Sequence, residues 1–238
     1  MRWRTAALAL IISLHMPGPA IAGPAEDGAA AYELGDYATA YRLMRPPAEE
    51  GNPYAQLFVA LMFANGKGVP QDYAEAAKWY RKAGEQGLEA AQFRLGVLFH
   101  DGQGVPQDYA EAARWYRKAA EQGVAEAQCN LGFLYAKGEG VPKDYIEAEK
   151  WSRMAAEQGY AKAQCNLGLL YASGSGVPQD YVLAHMWLNL AASRIPASEK
   201  ESRENAERNR ELIASKMTPS QIAEAQQMAR EWKPNAEQ

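Results

Sequence analysis

The sequence predicts an all-α protein, an α/α solenoid of helix-turn-helix units stacked in a row and closed by C-terminal capping helices. Two observations carry this. Asp-Tyr recurs at Asp36-Tyr37, Asp72-Tyr73, Asp108-Tyr109, Asp144-Tyr145 and Asp180-Tyr181, always 36 residues apart, and a fixed period of about 20–50 residues marks a repeat array. Within each period, apolar residues fall at i, i+3 and i+4, the signature of one helix face. Further columns keep the same phase: Trp79, Trp115, Trp151 and Trp187; Ala76, Ala112, Ala148 and Ala184; Gln56, Gln92, Gln128 and Gln164.

Composition narrows the function. Of 238 residues, 47% are apolar and 23% charged, as in an ordinary folded chain and unlike a disordered one. The net charge of −4 lacks the basic excess of a nucleic-acid binder. Two cysteines and three histidines are too few for a disulfide scaffold or a cysteine-based zinc site. No cofactor or metal is expected.

Taken in chain order, residues 1–22 read as a signal peptide. Arg2 and Arg4 precede the apolar stretch from Ala6 to Leu14, Pro17 and Gly18 break any helix, and Ala20-Ile21-Ala22 has the small-x-small form of a cleavage site. The stretch is less than half of the ~20 residues that span a bilayer. These features predict cleavage near Ala22-Gly23, a periplasmic or secreted protein, and no membrane span in the mature chain. Residues 23–51 form a short first unit, a tight turn at Gly35 joining two helices. Pro46 and Pro47 are expected to bend or shorten the second of these.

Four full units follow, at 52–87, 88–123, 124–159 and 160–195. In the third, Leu131, Leu134 and Tyr135 mark the first helix, which ends at Gly138, where glycine can take the left-handed conformation. Asp144 caps the second helix, and Glu147 three residues on gives a capping-box-like pair. Asp72, Asp108 and Asp180 stand at the same position. Ala148, Trp151 and Ala155 form its apolar face. Neither helix can bury its stripe alone, so neighbouring pairs must stack. Over 196–238 the period stops. Ser198 with Glu201 and Thr218-Pro219 with Gln221 read as two capping boxes that start helices at about 199–216 and 219–232.

The run AQCNLGFLYAKGEGVPKDYIEAEKWSRMAAEQG resembles a Sel1-like repeat, the longer-looped relative of the tetratricopeptide repeat. The units beginning near Asn52, Leu88, Val124 and Tyr160 match its pattern of Leu-Gly, aromatic, Gly-x-Gly-Val, Asp, Ala and Trp, except that Val59-Ala60 replaces Leu-Gly and Phe63 and Phe99 replace tyrosine. The resemblance implies a right-handed superhelix whose first helices line a concave face, and a role in protein interaction. Cysteine-rich secreted members of that family carry a β-lactamase or penicillin-binding label. Their cysteine pairs clip the two helices of each repeat, and this sequence has no such pairs.

Candidate chemistry is sparse. The Gly-x-Gly-Val-Pro loops follow helices and recur four times, so they read as turns and not phosphate cradles. No Ser-x-x-Lys, Lys-Thr-Gly, Gly-x-Ser-x-Gly or His-Glu-x-x-His occurs. His100 and His185 fall on different repeats and read as surface or groove residues. No catalytic residue is assigned. Cys129 and Cys165 sit one period apart on successive first helices. Packed helix axes lie about 8–10 Å apart, too far for the ~4.4–6.8 Å Cα spacing of a disulfide. Free thiols are expected, with a disulfide as the alternative that export would allow.

On the implied concave face, four rows form: Tyr54, Ala90, Glu126, Lys162; Leu57, Phe93, Cys129, Cys165; Phe58, Arg94, Asn130, Asn166; and Leu61, Val97, Phe133, Leu169. The candidate partner-binding residues are Tyr54, Leu57, Phe58, Phe93, Arg94, Val97, Asn130, Phe133, Lys162 and Asn166, which vary between repeats while the stripe stays constant. Their apolar members could equally pack between repeats. Trp79, Trp115, Trp151 and Trp187 with Asp72, Asp108, Asp144 and Asp180 are the structural set. The sequence therefore points to a non-catalytic, monomeric scaffold of the cell envelope that takes a protein or peptide in its groove. The alternatives are an enzyme acting on peptidoglycan or β-lactams, and a passive spacer in an envelope complex.

Overall fold

The same few residues start and stop the helices in every period, and the computed structural model follows them through the residues it describes, 23–235. The expected signal segment, 1–22, lies outside these. Among the described residues there are twelve α-helices and no strand: α1 (Pro24–Glu33), α2 (Tyr37–Glu49), α3 (Pro53–Asn65), α4 (Tyr73–Glu85), α5 (Glu89–Asp101), α6 (Tyr109–Glu121), α7 (Ala125–Lys137), α8 (Tyr145–Glu157), α9 (Ala161–Ser173), α10 (Tyr181–Arg194), α11 (Lys200–Ala214) and α12 (Pro219–Glu231). The protein is an all-α solenoid of helical repeats.

Each recurring aspartate caps the helix that follows it. Asp108 accepts from the Ala110 and Glu111 amides at 2.9 and 3.0 Å, and Asp144 from those of Ile146 and Glu147 at 2.9 and 3.2 Å. Asp72 and Asp180 do the same at their helices. Such bonds satisfy amides that have no partner within the helix. The reciprocal half of the expected box is not made. The backbone N–H groups of Asp108 and Asp144 already donate to the carbonyls of Phe99 and Tyr135. Glu111 and Glu147 instead pair with Arg114 and Lys150 one turn on.

Two expectations are corrected at the ends. Of the bend or shortening expected at Pro46 and Pro47, the shortening does not occur: α2 runs 13 residues with both prolines inside it. Their carbonyls still accept from Glu50 and Asn52, so the last turn closes without their missing N–H groups. Ser198 does not cap α11: the helix begins at Lys200 after Glu199, with no side-chain cap. The Thr218–Gln221 box ahead of α12 is complete in both directions.

The chain divides between Ala83 and Gly84 into two units. In the first, α1 packs on α2 and α2 on α3. The Tyr32 ring meets Tyr37 and Phe58 edge-on at 5.2 and 5.6 Å, and the Lys67 ammonium lies 4.5 Å from the Tyr37 ring centre.

In the second unit, α5 to α10 pack each against the next, and α11 and α12 close on α10. Trp115, Trp151, Trp187 and the repeated alanines are buried between them. Trp232 meets Trp187 edge-on at 5.8 Å and stacks under the Arg194 guanidinium at 4.5 Å. A buried glutamine ladder ties one repeat to the next. Gln92, Gln128 and Gln164 donate to the carbonyls of Gly84, Ala120 and Ala156 at 2.9, 3.0 and 3.2 Å. The side-chain oxygens of Gln92 and Gln128 accept from Gln122 and Gln158, both at 2.8 Å. Arg194 stands where the next donor would be, and the Gln164 oxygen has no partner.

Gly140 and Gly176, the second glycines of their loops, have φ of +69° and +77° and press on the backbone at Tyr109 and Tyr145, the start of the preceding repeat's second helix. Any side chain there would collide with that backbone. These loops are turns, as expected, and also the points where one repeat seats on another.

Candidate functional site

Helix geometry places the candidate residues on the first helices: Tyr54, Leu57 and Phe58 on α3 of the first unit, and the rest on α5, α7 and α9 of the second. Leu57 and Phe58 are 9% and 3% exposed, and Phe58 packs on Tyr32 of α1. They belong to the core of the first unit and not to an open surface. Tyr54, Phe93, Arg94, Val97, Asn130 and Asn166 are half-buried, Lys162 and Phe133 exposed.

Several of the polar candidates already have partners. Asn166 donates to the Cys129 sulfur at 3.5 Å. Lys162 forms an ion pair with Glu199 at 3.3 Å, which ties it to the start of the capping helices. The Arg94 guanidinium lies 5.8 Å from the Phe93 ring.

Two of the ten candidates, Phe133 and Asn166, meet at one place. A cleft of about 390 Å³ opens between α7, α8 and α9, lined by Gly132, Phe133, Ala136, Lys137, Tyr145, Ser152, Asn166, Leu169, Leu170, Ser173 and Ser175. Phe133 and Leu169 stand at its mouth, 40% and 41% exposed. Lys137, at the end of α7, lies 5.6 Å from the Phe133 ring centre. Of these, Phe133 and Asn166 were candidates from sequence, and Leu169 lay in the same row as Phe133. Ser152, Tyr145 and Lys137 were missed.

Several groups suited to chemistry are buried or already paired. The buried polar side chains among the described residues are four glutamines, Ser152 and His185; no carboxylate is among them. His185 is interior, 3% exposed, not on a surface or groove. Burial, then the nearby Arg210 charge, lowers its pKa. His100 pairs with Asp101 at 2.6 Å. Both cysteines are free, and burial pushes the Cys129 thiol up to about 12, where it is not a nucleophile at neutral pH. No group of three His, Cys, Asp or Glu side chains converges among the described residues. No described helix is long and apolar enough to cross a membrane.

Solved structures similar to this chain include the following two. A protective antigen of uropathogenic Escherichia coli strains, displaying the SLR fold, is 40% identical with a TM-score of 0.70, over 74% of this chain and 38% of its own. This chain thus spans well under half of the antigen. A Sel1 repeat protein from Oxalobacter formigenes is 38% identical with a TM-score of 0.68, over 73% of this chain and 69% of its own. No curated protein matches. The model of the Sel1 repeat matches residues 53–88, 89–124, 125–160 and 161–194. With more than half of its length in four matched repeats, the chain belongs to the Sel1 repeat family.

Proposed function

We propose that this protein is an exported, non-catalytic scaffold that holds a protein or peptide on the face formed by its first helices. Sel1 repeat proteins are generally protein-interaction scaffolds and typically non-catalytic. The observation that carries the reading is the division of labour within each repeat. Trp, Ala, Gln and Asp stay constant and are spent on packing and caps, while the half-exposed positions around Arg94, Asn130 and Asn166 change identity. Export rests on the basic, apolar and small-residue order of residues 1–22.

Crosslinking the mature protein in the periplasm, with identification of what is captured, tests this reading. Titration of the captured partner then compares Arg94→Ala with Arg114→Ala, an exposed residue on α6. Arginine grips a carboxylate with two hydrogen bonds, and a bond to a charged group contributes about 1.5–3 kcal/mol. Arg94→Ala should weaken binding more than tenfold and leave folding unchanged. Equal affinities for the two variants would place the binding surface elsewhere.

A further inference from the structure

His185 is sealed under the cap. It is 3% exposed, and its Nδ1 has no hydrogen-bond partner among the described residues. One turn further along α10, Asn189 accepts from the Arg210 guanidinium of α11 at 3.0 Å. Residues four apart share a helix face, so His185 lies on the side of α10 that the cap covers, beside that guanidinium. Ala77, Ala113 and Glu149 hold the same place in earlier repeats, and Glu149 pairs with Arg153 of its own helix. In the last repeat the arginine comes from the cap instead, and the buried group near it is one that titrates.

Three helices pack on α10: α9, α11 and α12. α9 carries no carboxylate. The ionisable groups of α9 and α12 (Lys162 and Tyr171; Glu224, Arg230 and Glu231) exert no effect on His185, nor do the glutamates of α11. Arg210 is the one charge that acts on it. A proton on the ring would set two cations together inside the protein with no anion beside them. The cap is also lightly held. α11 buries Ala206 and Ile213, and α12 buries Ala225 and Ala229, against six residues each in α7 and α9. Elements with few buried contacts open before the whole fold does.

We propose that α11 and α12 form an acid-released latch: protonation of His185 drives the pair off α10 while α5 to α10 stay folded. This goes beyond the scaffold reading and does not depend on it. Once α11 swings away with Arg210, the ring meets water and takes its proton at the ordinary value of 6.5. Each pH unit below that favours the open cap by up to about tenfold, until the closed form also binds the proton. Opening parts Trp187 from Trp232 and turns a closed end of the array into an open one.

Amide hydrogen exchange of the full mature protein, resolved by segment and corrected for the intrinsic effect of pH, reads the opening directly. Carboxylates keep their charge between about pH 7.5 and 5.5, so the histidines dominate that window. Protection over α11 and α12 should fall about tenfold across it, while protection over α5 to α9 holds. His185→Leu should keep the cap protected at the acid end; His185→Gln is the second neutral variant should the leucine fail to fold. His100→Gln, on an exposed ring pair, should respond like the wild type. Protection lost equally from α5 to α12, no loss at the acid end, or the full loss in a folded His185 variant overturns the proposal.

Discussion

Trp115 shows how much one side chain carries here. It lies on the buried face of α6 and is enclosed in the second unit. Trp→Ala in a core costs about 3–5 kcal/mol, a large share of the ~5–15 kcal/mol that holds a typical domain together. Trp115→Ala should therefore lower the melting temperature sharply, which thermal denaturation checks; loss of binding with unchanged melting would mean that the face is misassigned. His185 gives a second, pH-dependent case. Burial and Arg210 lower its folded pKa below the ordinary value of 6.5, so it is neutral in the fold. Above 6.5 neither folded nor unfolded chain carries that proton. As pH falls below 6.5 the unfolded chain binds a proton that the folded chain refuses, and stability drops until the folded pKa is passed. Urea midpoints measured across about pH 7.5 to 5 should fall for the wild type and fall less for His185→Leu. Parallel curves would show that His185 is not the source.

Between helices, the glutamine ladder links each first helix to the second helix before it. Gln128 makes one such bond, to Ala120, and accepts a second from Gln158 at the end of the second helix of its own repeat; Gln164 makes only the first, with Arg194 standing where the second donor would be and turned to Trp232. A buried group stripped of its partner costs about 1–3 kcal/mol. Gln128→Ala should thus destabilise more than Gln164→Ala in matched urea titrations, and equal losses would dissolve the ladder into simple packing. Helix limits and caps were legible in the sequence because Asp, Gly and Pro act within a turn of their own position. Contacts between residues far apart along the chain were not. The Gln column was visible, but its bonds reach 30 residues along the chain to Gln122 and Gln158, outside any local pattern. Ser152 was equally visible as a departure from Tyr80 and Tyr116. The burial of Phe58 comes with its ring contact on Tyr32 of α1, which no periodicity announces.

Taken as one chain, the repeats distribute their polar groups for structure and leave no buried carboxylate among the described residues. A buried, strongly shifted acid or histidine in a cleft is the usual mark of acid–base catalysis. His185 is buried but lies outside the cleft residues. Purified mature protein should accordingly show no turnover of a chromogenic β-lactam above background. Hydrolysis that follows the protein through purification and vanishes on a single substitution would reinstate the enzyme alternative.

The seat of Gly140 on Tyr109, and of Gly176 on Tyr145, bears on how such a chain can grow. Each loop works as a gauge, touching the previous repeat at one backbone point and so setting where the next helix pair begins. A loop shortened by one residue would pull the glycine off its mark and leave every later pair misplaced. Copying a whole 36-residue period carries the gauge along with the helices it serves. Lengthening by duplication is therefore quantised: the array gains one helix pair at a time.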